Sequence, residues 1–373
     1  MTIRPENETR CLRLIDEALK TFRLDLSEQT VLTEAATGFY MLTPLIAARA
    51  GSKPVYVFTR DSRFGRATDV MNATLSLAER WGLAGQIIPL TSRSDELIGT
   101  ADIVTNLGFV RPLDAEFLTR LKSTAVIPLM WETWEYRPAD LDLTACRQKG
   151  LAVLGTDEHA EELQTFGYIG HVALKLLYEA GVEVFRSRIV VFGSGEFART
   201  TVSTLAAAGA EVDRMFCHRD ERTLSYPDEA VLEHAEAVVI VEHHHDRLLL
   251  GTGGAVDTQW LAEQNPGLAV VHICGNADRP ALREAGIRCM PQRFAAAGSM
   301  SVATDYVGPK PLIDLHTAGL RVGQLLSEAR RSGLPAFEAE CTVLKRCHFA
   351  QGFADYHPDS QTTGTREDRR RAA

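Results

Sequence analysis

Residues 189–200 read IVVFGSGEFART: a β-branched and aromatic run, then Gly193, Ser194 and Gly195, then a helix-forming sequence. The six residues from Gly193 to Ala198 fit the pattern G-x-G-x-x-G/A. In such a loop the first glycine permits a tight turn and the second lets backbone approach a pyrophosphate. A small third residue lets helix and strand pack closely. The helix N-terminus adds free N–H groups and the positive end of a dipole. The motif needs a strand before it and a helix and second strand after it, and RTTVSTLAAAGA and EVDRMFC supply them. Gly193, Ser194, Gly195, Glu196 and Phe197 are therefore expected to hold a dinucleotide. A tight turn that binds nothing is the plainer alternative. The second strand should close on the residues that read the ribose, here His218 and Arg219. An arginine there suits a 2′-phosphate, so NADP is the expected cofactor, with Asp220 and Glu221 keeping NAD open.

Proton transfer and substrate holding call for side chains at strand ends. VVIVEHHHD (238–246) puts Glu242, His243, His244, His245 and Asp246 directly after a strand. Adjacent side chains diverge, so three successive histidines do not converge on one metal. His243 is instead expected as a donor or acid and Glu242 as a cofactor contact, with no metal. Lys310 stands between Pro309 and Pro311, which fix φ on either side, and a lysine so held can act as an acid or an anion clamp. Earlier in the chain, Asn106 ends one strand, Trp131 and Glu132 follow another, and FTRDSRFG offers Arg60 and Arg63. Asn106, Trp131, Glu132 and Arg60 are expected to bind substrate. Thr156, Asp157 and His159 lie at a predicted hinge. Each has a structural alternative as a packed or solvated group. Cys341 and Cys347-His348 lack the second pair that a four-ligand zinc site needs.

These residues need a scaffold. The 373-residue chain is 45% hydrophobic and 24% charged, as in an ordinary globular protein, and is long enough for two domains. Its net charge of −9 gives no overall attraction to nucleic acid. There is no apolar run of membrane-spanning length and no apolar stretch behind the polar N-terminus, so no membrane partner is expected and the predicted location is cytoplasmic. The seven cysteines are scattered and never spaced as C-x-x-C, which predicts reduced thiols. Strand-like and helix-like patterns alternate nearly throughout, predicting α/β architecture with parallel sheets. TVLTEAA, PVYVFT, QIIPL, DIVTNLG and AVIPLM read as strands of one open sheet before residue 150. A second unit has strands at 189–192, 212–217, 237–241 and 269–274. Residues 10–22, 166–181 and PLIDLHTAGLRVGQLLSEARRSG read as helices, and the tail TREDRRRAA as a charged, disordered end.

Residues 101–323 resemble the D-2-hydroxyacid dehydrogenase family, the formate/glycerate dehydrogenase superfamily. ADIVTNLGFVRPLDAEFLTRLKSTAVI is similar to its strand and helix before the substrate loop, and YRPADLDLTACRQKGLAVLGTDEHAEEL to its D-x-I-D stretch. DRLLLGTGGAVDTQWLAEQNPGLAVVHICGN is similar to the part after the fourth nucleotide-domain strand. The resemblance implies two Rossmann/flavodoxin-like domains with an interdomain cleft and a C-terminal helix returning to the first domain. It implies a catalytic arginine, carboxylate and histidine. Where that arginine is expected the chain has Gly275 and Asn276, GIRCMPQRFAAAGSM lacks the acid, and the proline-histidine element falls at Lys310, with His316 beyond it. Gly275 and Asn276 are then expected beside the cofactor, and His243 beside the nicotinamide.

The expected domains are residues 1–165 for substrate, completed by helix 311–332, residues 166–310 for the dinucleotide, and an extension from 333 to 373. The expected function is NAD(P)-dependent oxidoreduction of a small polar 2-oxo, 2-hydroxy or imino acid by a non-standard catalytic set, in a homodimer. One alternative is a methyltransferase-like transferase using S-adenosylmethionine. VLTEAATGFYMLTPLIAARAGSKPVYVFTRDS resembles the first βαβ of that class, with Glu34 and Gly38 at its loop and Asp61 after the second strand. Another is a non-catalytic cofactor sensor.

Overall fold

A computed structural model describes residues 5–217, 224–225 and 229–354. Its contacts divide the described residues into two compact units: 5–164 together with 309–354, and Thr165–Gly308.

The first unit is built on strands β1 (Val31–Glu34), β2 (Val55–Phe58), β3 (Ile87–Leu90), β4 (Ile103–Val104), β5 (Val126–Pro128) and β6 (Ala152–Thr156). They pair in parallel in the order β6-β5-β4-β1-β2-β3, and Ala350–Gln351 adds an antiparallel edge strand beside β6. Every residue of β1, β2, β5 and β6 is buried, as expected of a parallel sheet covered on both faces. The amphipathic helix Pro5–Phe22 buries Cys11, Leu14, Ile15, Ala18 and Phe22 in the unit's core. The long helix Lys310–Arg331 lies against the sheet. A Cβ on Gly319 would stand 2.5 Å from the Met130 sulfur, and one on Gly323 would stand 2.8 Å from Pro128 and 2.9 Å from Ile103. Two glycines one turn apart thus let the helix approach the strands closely. Because Gly319 meets residues at the carboxyl ends of β5 and β6 and Gly323 meets residues further back, the helix runs antiparallel to the strands. Its N-terminus, with Lys310, therefore lies beyond their carboxyl ends. The stretch after residue 333 supplies the helix Ala336–Arg346, whose buried Glu340 accepts from Arg147 at 2.6 Å and from the Val153 backbone at 2.7 Å.

The second unit contains β7 (Arg188–Phe192), β8 (Glu211–Cys217), β9 (Leu224–Ser225), β10 (Ala237–Val241), β11 (Leu248–Leu250), β12 (Ala269–Cys274), β13 (Asn276–Ala277) and β14 (Arg288–Met290). The main sheet runs β14-β12-β10-β7-β8-β9, parallel except for the β8–β9 pair, and β11 and β13 form a separate ladder. Strand order reverses between β7 and β10, the doubly wound arrangement. The sequence-predicted strands at 189–192, 212–217, 237–241 and 269–274 are thus present within a residue at each end. The two parallel α/β sheets agree with the expected fold class.

Among the described residues no helix is long and apolar enough to cross a membrane, and no group of His, Cys, Asp and Glu is placed to hold a metal. The six cysteines with described side chains form no disulfide. Of the sequence expectations, His218, Arg219, Asp220 and Glu221 and the tail from 355 lie outside the described residues.

Candidate functional site

In the second unit, β7 delivers the chain to Gly193 and the 13-residue helix Gly195–Ala207 begins two residues later. Ser194 is its N-cap in extended conformation, but its side chain makes no capping bond. The hydroxyl turns to the neighbouring strand and donates to the Glu242 carboxylate, 2.9 Å from each oxygen. Glu242 is buried and also accepts from the His244 backbone at 2.8 Å. The carboxylate after β10 thus ties the loop after β7 across the point where strand order reverses.

Both loop glycines are required by space. A Cβ on Gly193 would lie 2.6 Å from the Val241 carbonyl oxygen. Gly195 has φ +64°, and a Cβ there would lie 2.5 Å from the His244 Nε2. A left-handed conformation costs a non-glycine residue about 1–2 kcal/mol even in open space. Gly275, with φ +127°, would bring a Cβ within 2.9 Å of Ile240 and 3.3 Å of the Glu242 carbonyl oxygen. Asn276 follows and donates to the Asp246 carbonyl at 2.7 Å.

His243 stacks on Phe197, with ring centroids 4.3 Å apart, and its ring lies 3.8 Å from that of His244. Burial pushes its pKa down to about 3, helped by His244 and His245. It is therefore neutral at pH 7 and carries a single ring N–H, the form in which a histidine serves as a hydrogen-bond donor or acceptor. Glu196 pairs with Arg199 on the exposed side of the same helix. Gly193, Ser194, Gly195, Phe197, Glu242, His243, Gly275 and Asn276 thus meet at the carboxyl ends of β7, β10 and β12. The sequence placed His244, whose ring closes the loop, after the strand without giving it a role, and it did not mark His272. The latter is buried between Ser301 (2.7 Å) and the Gly275 carbonyl (3.0 Å), stacked on Phe294.

In the first unit a different group gathers at the carboxyl ends of β1, β4 and β5. Asn106 is buried, and its Oδ1 accepts from the Met130 backbone at 2.9 Å. Glu34 ends β1, is buried, and accepts from the Phe109 backbone. Burial raises its pKa, against lowering by that bond and by Arg111 and Arg60. Arg60 donates to the Gly108 carbonyl at 3.0 Å and lies 5.1 Å over the Phe109 ring. Arg111 lies 4.8 Å over Trp131 and pairs with Asp140 at 2.6 Å. Asn106, Trp131 and Arg60 are thus brought to one end of the sheet. Glu132 is not free to join them. Its oxygens accept from the Trp134 indole and the Glu158 backbone, and His159 approaches to 3.7 Å. Arg63 stacks on exposed Phe64. Lys310 pairs with Asp314 at 2.7 Å with about half its side chain exposed. His316, six residues further along the helix, bonds Thr43 at 2.8 Å and is pushed down to about 3 by burial.

The transferase reading finds no support in this geometry. Asp61, its acid after the second strand, accepts from the Ala67 backbone at 2.8 Å at the start of the helix Ala67–Arg80.

No protein-family model matches the chain, and no curated protein matches it. Among solved structures it is similar to the A chain of dipicolinate synthase from Bacillus subtilis, with 12% identity and a TM-score of 0.47, covering 83% of this chain and 98% of that one. It is also similar to NAD-dependent formate dehydrogenase from Staphylococcus aureus in complex with NAD, with 12% identity, a TM-score of 0.43, and 78% and 92% coverage. A third is NAD+-bound 3-phosphoglycerate dehydrogenase from Entamoeba histolytica, at 10% identity and a TM-score of 0.40, with 82% and 96% coverage.

Proposed function

We propose that the chain is an NAD(P)-dependent oxidoreductase acting on a small polar 2-oxo, 2-hydroxy or imino acid. The observation that carries this reading is the glycine loop. It stands where strand order reverses in a doubly wound sheet, with Gly195 at positive φ opening a 13-residue helix. That is where such sheets receive a dinucleotide. Gly193 and Gly195 leave backbone bare where a Cβ would strike its neighbours.

Gly193, Ser194, Gly195, Glu196 and Phe197 would cradle the pyrophosphate, and Glu242, Gly275 and Asn276 would line the nicotinamide side. The bound nicotinamide would supply a hydride donor or acceptor. Arg219 supports NADP from its sequence position, with NAD as the alternative. His243, neutral and stacked on Phe197, serves as a wall of this pocket. Lys310 is the proton carrier: it stands on the carboxyl-end side of the first unit's sheet, held by its pair with Asp314. Asn106, Trp131 and Arg60 hold the substrate, and the chain works as a homodimer.

The test is loss of nicotinamide absorbance when purified protein and NADPH or NADH meet a panel of 2-oxo acids, with and without ammonium. Turnover of one member is expected. No turnover with either cofactor across the panel counts against the reading.

A further inference from the structure

The first unit has a reversal point of its own, between β1 and β4. The two strands pair from Val31–Ile103 to Leu32–Val104, and the hydroxyls of Thr33 and Thr105 then meet at 2.9 Å. Glu34 and Asn106 come next on each strand, side by side where an open α/β sheet binds small molecules. They are 3% and 1% exposed, which is unusual for a carboxyl and a carboxamide at a sheet's edge.

Their polar atoms are incompletely matched. Asn106 Oδ1 is fixed by the Met130 N–H, since only oxygen can accept that bond. Its NH2 group has no partner among the described residues, and the same holds for Trp131 Nε1 and Arg111 Nε. A buried donor left unmatched costs about 1–3 kcal/mol, so such a set is suited to an incoming acceptor. Glu34 presents the opposite need. Among the described residues it forms no ion pair within 4 Å, although Arg60 and Arg111 are near enough to influence it. A buried carboxyl that makes no ion pair is stabilised in its charged form by a cation delivered to it.

We infer that Glu34 and Asn106, with Arg60 and Arg111, form a binding site in the first unit for a small α-amino or imino carboxylate. Glu34 takes the cationic nitrogen, and the Asn106 NH2 and the arginines take the carboxylate. This rests on the oxidoreductase reading and narrows it. A plain 2-hydroxy acid offers Glu34 a neutral hydroxyl, and a 2-oxo acid offers it another acceptor.

Alanine, lactate and pyruvate share one carbon skeleton and differ only beside the carboxylate, so they are suitable probes. Each is titrated calorimetrically, alanine and lactate as both enantiomers, into the full-length protein without nucleotide, so that no hydride transfer accompanies binding. One enantiomer of alanine is expected to bind at least tenfold more tightly than lactate or pyruvate. Glu34→Gln should abolish that preference while leaving lactate affinity within about threefold. Asn106→Asp sets a carboxylate against the ligand's own and should weaken all three at least tenfold. Equal affinities, or binding by none, would overturn the inference. So would a Glu34→Gln variant that weakens all three alike, which is what a purely structural tether on the Phe109 loop would do. NADPH binding followed by fluorescence on the same samples separates the two readings. A Glu34-dependent preference without NADPH binding supports the amino-acid site and overturns the oxidoreductase assignment.

Discussion

The Ser194 hydroxyl lies 2.9 Å from both oxygens of the Glu242 carboxylate, so the glycine loop of one strand is tied to a buried acid at the end of its neighbour. The same carboxylate accepts the His244 N–H at 2.8 Å. Glu242→Ala would leave two part-buried donors without their acceptor and should cost roughly 1 kcal/mol. Urea unfolding of the variant checks this, and a loss below about 0.5 kcal/mol would mean that the tie does not hold the loop.

One buried histidine, His316, and one half-buried one, His243, set an acid limit on stability. His243 and His316 both have folded pKa values of about 3, against 6.5 for the free side chain. In each case burial favours the neutral form. The stabilisation is therefore fully present above pH 6.5 and is lost as pH falls from there toward 3. Between pH 7 and pH 5 each histidine should contribute a loss of about 2 kcal/mol. His316→Gln should make the fall in urea midpoint over that range shallower. An unchanged slope would mean that His316 already carries a proton at pH 5.

Lys310 and Asp314 form an exposed-to-buried pair, with side-chain exposures of 48% and 7%. A pair this open contributes little, so Lys310→Ala should change stability by less than about 1 kcal/mol. If Lys310 moves the proton, the same variant should lose at least tenfold in kcat. Undiminished kcat would remove it from the reaction.

Much of the fold was legible because parallel strands buried on both faces are continuous apolar runs, as in VYVF and AVVIV, and the glycine loop carries its strand and helix with it. The short pieces were not legible. Leu248–Leu250 and Ala350–Gln351 exist through partners distant in sequence. The candidate site was legible in part. Asn106, Trp131 and Arg60 were marked by standing at strand ends or in the loops after them. Glu34 ends a strand in the same way, but its pairing with Asn106 depends on β1 lying beside β4, which no local pattern encodes. The stacking of His243 on Phe197, which favours its neutral form, comes from tertiary packing that no local pattern encodes.

The central claim is that the loop at Gly193–Gly195 binds a nicotinamide dinucleotide. Titration of NADPH and NADH into purified protein, followed by nicotinamide fluorescence, tests it most directly. Saturable binding of at least one is expected. Gly195→Ala should weaken it at least tenfold with far-UV circular dichroism unchanged, because a side chain there meets both a positive φ and the His244 ring. Absence of binding by either nucleotide, or affinity unchanged in Gly195→Ala, would contradict the account.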